Sequence, residues 1–165
     1  MPQDQEAHER ELRRQMREGR APFIEAVSAK WENFLLLNKG AVRKADELRD
    51  QVGAMNNQFA AKSKQLRTYS RKTASLRERR DSTEGAIALF EALGAQAKAV
   101  GELIDKELPK LLKLEKPVEE AYTAYQVALD NYRVYMVGWQ GKLPSEDLTD
   151  RSLELALDQV EKSLR

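Results

Sequence analysis

Two long heptad repeats limit the folds that are open to this chain of 165 residues. From Val27, alternating steps of four and three residues reach mostly apolar positions as far as Leu76, and a second series runs from Ile87 to Trp139. A 3.5-residue repeat sustained over about seven heptads is typical of helices that pack along one seam. The sequence therefore predicts an all-α protein built on a long antiparallel two-helix coiled-coil hairpin.

A polar segment between the two series, Arg79–Glu84, is the predicted hairpin turn. Asp81 and Glu84 have the spacing of a capping box, which favours the start of a helix at this point. The turn gives arm one a span of about 22–80 and arm two a span of about 82–139. Across the resulting seam, Phe34 is expected to face Leu129, and large residues are expected to face small ones.

The end of the chain predicts further helix boundaries. Pro109 and Pro117 lie inside arm two, and because an interior proline removes a backbone hydrogen bond, breaks are expected near both. We expect these breaks either to bend arm two or to divide it into two helices. After Gly138–Pro144, Ser145 can cap a short C-terminal helix of about 145–164 whose apolar stripe is expected to pack at the open end of the hairpin.

Composition sets the domain organisation and the expected compartment. Residues 1–21 are predicted to be a charged N-terminal extension, because the first twenty residues carry five acidic and five basic side chains. Residues 22–165 are predicted to form a single helical hairpin domain. No apolar run approaches the roughly 18 residues that cross a bilayer. The chain has no cysteine, which does not identify the compartment but is compatible with a reducing cytosol, and the expected location is cytoplasmic.

Charge is uneven along the chain although its net value is only +1. Between Lys62 and Gly101 there are nine basic and four acidic residues, which gives this part +5 and the remainder −4. In the predicted hairpin these basic residues surround the turn and form a basic tip. The basic tip is expected to be a solvated face or a contact for an acidic surface, and its candidate residues are Lys64, Arg67, Arg71, Lys72, Arg77, Arg79 and Arg80.

Apolar and aromatic residues beside the seam form a second candidate surface. Off the predicted seam, residues such as Leu89, Leu103 and Leu112 need cover, which partner helices could supply. Tyrosine and tryptophan are favoured at protein interfaces, although a bundle core is the commoner place for such a stripe. The candidate residues of this apolar and aromatic flank are Leu36, Tyr122, Tyr135 and Trp139.

No residue pattern indicates catalysis, a metal site or a cofactor. His8 is the only histidine and lies in the polar N-terminal segment, and Glu119 and Glu120 point about 100° apart on a helix. Gly94 and Gly101 lack the spacing of a phosphate-binding loop and are interpreted as packing notches. We therefore expect no enzyme, no cofactor and no metal.

The favoured hypothesis is a non-enzymatic structural or adaptor protein that assembles through helical coiled-coil surfaces, with itself or within a larger complex. The alternative is a peripheral membrane-binding hairpin whose basic tip contacts anionic lipid. Contact with nucleic acid by the same tip is less well supported, because a single aromatic residue, Tyr69, lies within the basic run.

Overall fold

The computed structural model describes residues 2–69 and 76–165, apart from the side chains of residues 67–69, 76–79 and 82. Within these ranges it contains no strand; the isolated bridge between Gln140 and Leu143 is its one β-type pairing. The predicted all-α class is confirmed. The helices are α1, Pro2–Tyr69; α2, Leu76–Leu112; α3, Glu115–Val137; and α4, Arg151–Ser163, with a 3₁₀ turn at Ser145–Leu148 before α4.

The predicted turn at residues 79–84 is wrong, because α2 begins at Leu76 and this segment is helical. Asp81 and Glu84 have the spacing of a capping box, but i,i+3 pairs are also neighbours on any helix surface. Here Arg80 Nε lies 3.4 Å from Glu84 Oε1, an ion pair within the helix. Where the sequence predicts Leu129 opposite Phe34, the structure places the Tyr122 ring against Phe34, 5.2 Å away between centroids.

Of the two alternatives for arm two, a bend or a division, the structure contains the division, since α2 ends at Leu112 and α3 begins at Glu115. Pro109 lies inside the last turns of α2, and its carbonyl accepts a hydrogen bond from Lys113 N at 3.2 Å. Pro117 lies in the first turn of α3, where a missing backbone N–H leaves no helical hydrogen bond unmade. The break between the two helices therefore lies between the two prolines.

The chain forms two compact units, of which unit 1 consists of residues through Ala41 together with Leu114–Arg165. Rings of α1 and α3 alternate along their contact: Trp31 lies 4.7 Å from Tyr125 between centroids, and Phe34 lies 5.2 Å from Tyr122. Along this contact the residue numbers rise in α1 and fall in α3, so the two helices are antiparallel. The buried core of unit 1 comprises Met16, Val27, Ala128, Tyr132, Met136, Leu143 and Leu153.

Residues 1–21, predicted to be an extension, contribute to this core. Helix α1 begins at Pro2 and continues through Pro22, and Met16 is only 1% exposed. Arg13 Nε donates to Asp147 Oδ2 at 3.0 Å, and the Tyr135 hydroxyl donates to the Met16 carbonyl at 3.0 Å. Charged residues of the same segment pair with one another on the outer side, as Arg14 does with Glu18. The segment is an amphipathic part of unit 1.

The C-terminal helix packs in unit 1. Leu153 of α4 is buried in the core, and Leu157 packs against the core from the same helix. The chain reaches α4 through a reversal in which Gly141 has φ +82°, a left-handed conformation that favours glycine. The predicted helix of about 145–164 is therefore a 3₁₀ turn followed by the shorter α4.

A buried tyrosine joins α3 to the segment before α4. Tyr132 is 1% exposed, and its hydroxyl donates to Asp150 Oδ1 at 3.1 Å. Burial, followed by the hydrogen bond to the Asp150 carboxylate, raises the pKa of Tyr132 from 10.0 to about 12. The folded state therefore holds this proton more tightly than the unfolded chain does.

We expect unit 1 to lose stability as the pH rises from about 10 to about 12, because the contribution of Tyr132 is complete below its unfolded pKa and declines above it. At pH 11 the expected loss is about 1.4 kcal/mol. The measurement is urea unfolding between pH 8 and 11, followed by tryptophan fluorescence. Tyr132→Phe should abolish this part of the pH dependence, and identical pH profiles of the two proteins would contradict the assignment.

Candidate interaction surfaces

Unit 2, Val42–Lys113, pairs the second half of α1 with α2. Leu93 and Gln96 of α2 are each 8% exposed, and Leu89, Val100 and Leu103 on the same side are half-buried. Gln96 Nε2 donates to the Met55 carbonyl at 2.7 Å and to Gln58 Oε1 at 3.2 Å, both on α1. These contacts identify the face of α2 that packs against α1.

A second apolar face of α2 is exposed. Phe90 is 62% exposed and Ile87 54%, and the residues that continue their heptad spacing, Gly94, Ala97, Gly101 and Leu108, are exposed as well. Ile104 and Leu111 continue the spacing at the border of this face and are half-buried. We name the full set the α2 stripe: Ile87, Phe90, Gly94, Ala97, Gly101, Ile104, Leu108 and Leu111.

The predicted seam of arm two is therefore wrong by one residue. The heptad series predicts that Ile87 and Phe90 face arm one and that Leu89 and Leu103 lie off the seam, whereas the structure has the reverse arrangement. Both faces of α2 repeat every 3.5 residues, so periodicity alone does not distinguish the inner face from the outer one. The presence of two such faces is itself informative, because a helix with two adjacent heptad seams has positions for two partner helices.

The α2 stripe is notched by glycine and borders an open groove. An added Cβ at Gly94 or at Gly101 would meet no other atom within 4 Å. Beside the stripe, a groove of about 470 Å³ lies between α1 and α2, with a mainly apolar lining that includes Leu48, Val52 and Ile104. A helix that packs on the stripe could therefore approach closely along this line.

A second groove of unit 2 has a different character. It measures about 490 Å³ and is lined mainly by charged and polar side chains such as Lys44, Lys106 and Lys110. An apolar partner helix would leave these charges without water on that side. The apolar groove and the α2 stripe are the better surface for helix packing.

The four candidates of the apolar and aromatic flank have different surroundings within unit 1. The Tyr135 ring stacks on Phe23 at 4.9 Å and lies 6.4 Å from the Trp139 ring, so both residues pack against the core. Tyr122 contacts Phe34 and Tyr125 yet stays partly exposed, and Leu36 is exposed. Two of the four residues are thus accounted for by packing within unit 1.

The basic tip is described only in part. Lys64 and Arg80 are exposed, and Arg80 is paired with Glu84. The side chains of Arg67, Arg77 and Arg79 lie outside the described residues, as do Arg71 and Lys72 altogether. Convergence of these candidates into one cationic surface therefore stays a prediction.

An open cleft of unit 1, about 730 Å³ in volume, includes His8 and Glu9 of α1 and Lys142 in its lining.

Across the described ranges, 2–69 and 76–165, no cluster of three or more His, Asp or Glu side chains is arranged to hold a metal ion. In the same ranges, no helix combines the length and the apolar character required to span a bilayer.

Comparison with known proteins adds no relative: the chain matches no protein-family model, no curated protein and no solved structure.

Proposed function

We propose that this chain is a non-enzymatic structural or adaptor subunit that assembles through helical coiled-coil surfaces, and that the α2 stripe is its main assembly surface. The observation that carries the proposal is the exposed heptad stripe beside the face that packs on α1. In this proposal, α1 pairs with α2 and with α3 as the two-helix coiled coil that the sequence predicts, and α4 supports the pairing with α3.

The physical basis is the cost of leaving such a stripe in water. Phe90 and Ile87 are more than half exposed, and covering an apolar side chain gains about 25 cal/mol for each Å² removed from water. Single exposed apolar residues are common on protein surfaces, whereas a run at seam spacing matches the pattern of coiled-coil contacts. A further helix on the α2 stripe would give α2 partners on two faces, as in a helical bundle.

Photo-cross-linking in the cells that make the protein tests this proposal. A photoreactive amino acid is introduced at one of two positions of α2, and the adducts are compared. At residue 90, on the α2 stripe, we expect an adduct heavier than the single chain. At residue 106 we expect none, because Lys106 lies on the side of α2 that borders the polar groove. Absence of an adduct at residue 90, or equal adducts at both positions, would contradict assembly through the α2 stripe.

A further inference from the structure

We infer that the occupant of the α2 stripe is a second copy of this chain, whose own α2 packs antiparallel across a two-fold axis at the level of Ala99, between Ala97 and Gly101 of the stripe. The inference rests on the proposed function and names its partner. The interface is isologous, since the same residues contribute from both copies.

The α2 stripe is complementary to itself when it is reversed. About Ala99, the reversed stripe places Ile87 level with Leu111 and Phe90 level with Leu108. Nearer the centre, Gly94 is level with Ile104, and Ala97 with Gly101. Every layer pairs one position of the heptad seam with the other, as in antiparallel coiled coils, and the half-buried Ile104 meets a glycine notch that is open to solvent.

A parallel pair of the same stripes packs less well. In that arrangement each residue lies opposite itself, so Gly94 faces Gly94 and Gly101 faces Gly101. Layers without side chains leave voids, and voids in an apolar interface cost stability. The distribution of large and small residues thus favours the antiparallel arrangement.

The apolar groove lies at the level of the centre of the α2 stripe. Gln96 is level with Met55, and Ile104 lines the groove with Leu48, so Ala99 is level with α1 residues close to Val52. The groove is lined by Val52 and Gly53, and an added Cβ at Gly53 would meet no atom within 4 Å. A two-fold axis at the level of Ala99 is therefore also level with the groove, and in the inferred dimer α1 of each copy adjoins α1 of the other in a four-helix arrangement.

The area of the inferred contact is that of a stable interface. From Ile87 to Leu111 the stripe is about 37 Å long at 1.5 Å per residue. In each copy, α2 and the adjacent α1 together present a surface about 20 Å wide. The contact covers on the order of 700 Å² of each copy and about 1,400 Å² in all, which is within the range of stable protein interfaces.

The absence of cysteine from the chain permits a direct test on the full-length protein. Gly94→Cys and Ile104→Cys are prepared separately, mixed, and oxidised under mild conditions. We expect a disulfide-linked dimer from the mixture and little from either variant alone, because residue 94 is level with residue 104 of the other copy. Light scattering after size-exclusion chromatography should show a dimer of the unmodified chain, and circular dichroism should show that both variants stay helical.

Each other result overturns the inference. A dimer linked by Gly94→Cys alone indicates the parallel arrangement. A monomer at all concentrations, without cross-links in the mixture, excludes a second copy; if residue 90 nevertheless forms adducts in cells, the proposed assembly stands with a different partner. If neither the disulfide in the mixture nor the adduct at residue 90 forms, the inference and the proposed function both fail.

Discussion

Met16→Ala is expected to lower the free energy of unfolding of unit 1 by about 2–5 kcal/mol. Met16 is 1% exposed and belongs to the core cluster with Val27 and Tyr132. Truncation at Cβ removes apolar contacts and leaves a cavity between α1 and α3. Because the Met16 carbonyl accepts a hydrogen bond from the Tyr135 hydroxyl, a shift of the backbone at Met16 would also disturb that hydrogen bond.

Urea unfolding followed by tryptophan fluorescence measures this effect, because Trp31 and Trp139, the two tryptophans of the chain, both belong to unit 1. The matched control is His8→Ala in the same part of α1, where the side chain is exposed. The control should change the free energy of unfolding by less than about 0.5 kcal/mol. A loss below 1 kcal/mol for Met16→Ala would support the predicted extension, in which residues 1–21 contribute nothing to the core.

Helix content was the most predictable part of the fold, because heptad spacing and straight-chain residues act locally and persist along the chain. The break before α3 was predictable for the same reason, since proline restricts its own backbone. The first twenty residues were misjudged because their charges outnumber their apolar residues. Leu12 and Met16 lie one turn apart on the inner side, and that short apolar stripe was the available signal.

The candidate site was less predictable, since it depends on which of two equivalent faces of α2 turns inward. The residue spacing of Ile87 and Phe90 is as regular as that of Leu89 and Leu93, so local pattern does not rank them. The choice is made by the contacts with α1, where Gln96 reaches the Met55 carbonyl. The exposed stripe follows from a tertiary contact, which the heptad repeat alone does not contain.

Gln96 is a buried polar residue in the contact between α1 and α2. Its Nε2 donates two hydrogen bonds to α1, but its Oε1 is buried without a hydrogen-bond partner in the described part of the chain. A buried polar side chain in a coiled-coil seam lowers stability and disfavours other registers, because a shifted pairing leaves it wholly unsatisfied. Gln96 is therefore expected to select the observed alignment of α1 and α2 at a cost in stability.

Gln96→Leu should raise the stability of unit 2 by about 1–3 kcal/mol, because it replaces an incompletely bonded amide with an apolar side chain. Amide hydrogen exchange of Val42–Lys113 measures this gain, since unit 2 contains no tryptophan. The matched control is Gln51→Leu, which changes the same residue type at an exposed position of α1 that is not a hydrogen-bond partner of Gln96 and should leave protection nearly unchanged.

The same substitution should relax the alignment of α1 and α2. Leu48 and Leu103 line one groove, so cysteines at these two positions should cross-link in the parent chain. Cysteines at Met55 and Leu103 report a shift of one heptad and should cross-link only when Gln96→Leu is present. Because both cysteine pairs share Leu103, the ratio of the two products measures alignment independently of stability. If Gln96→Leu raises protection but the shifted pair never forms, Gln96 is a destabilising residue without a role in register.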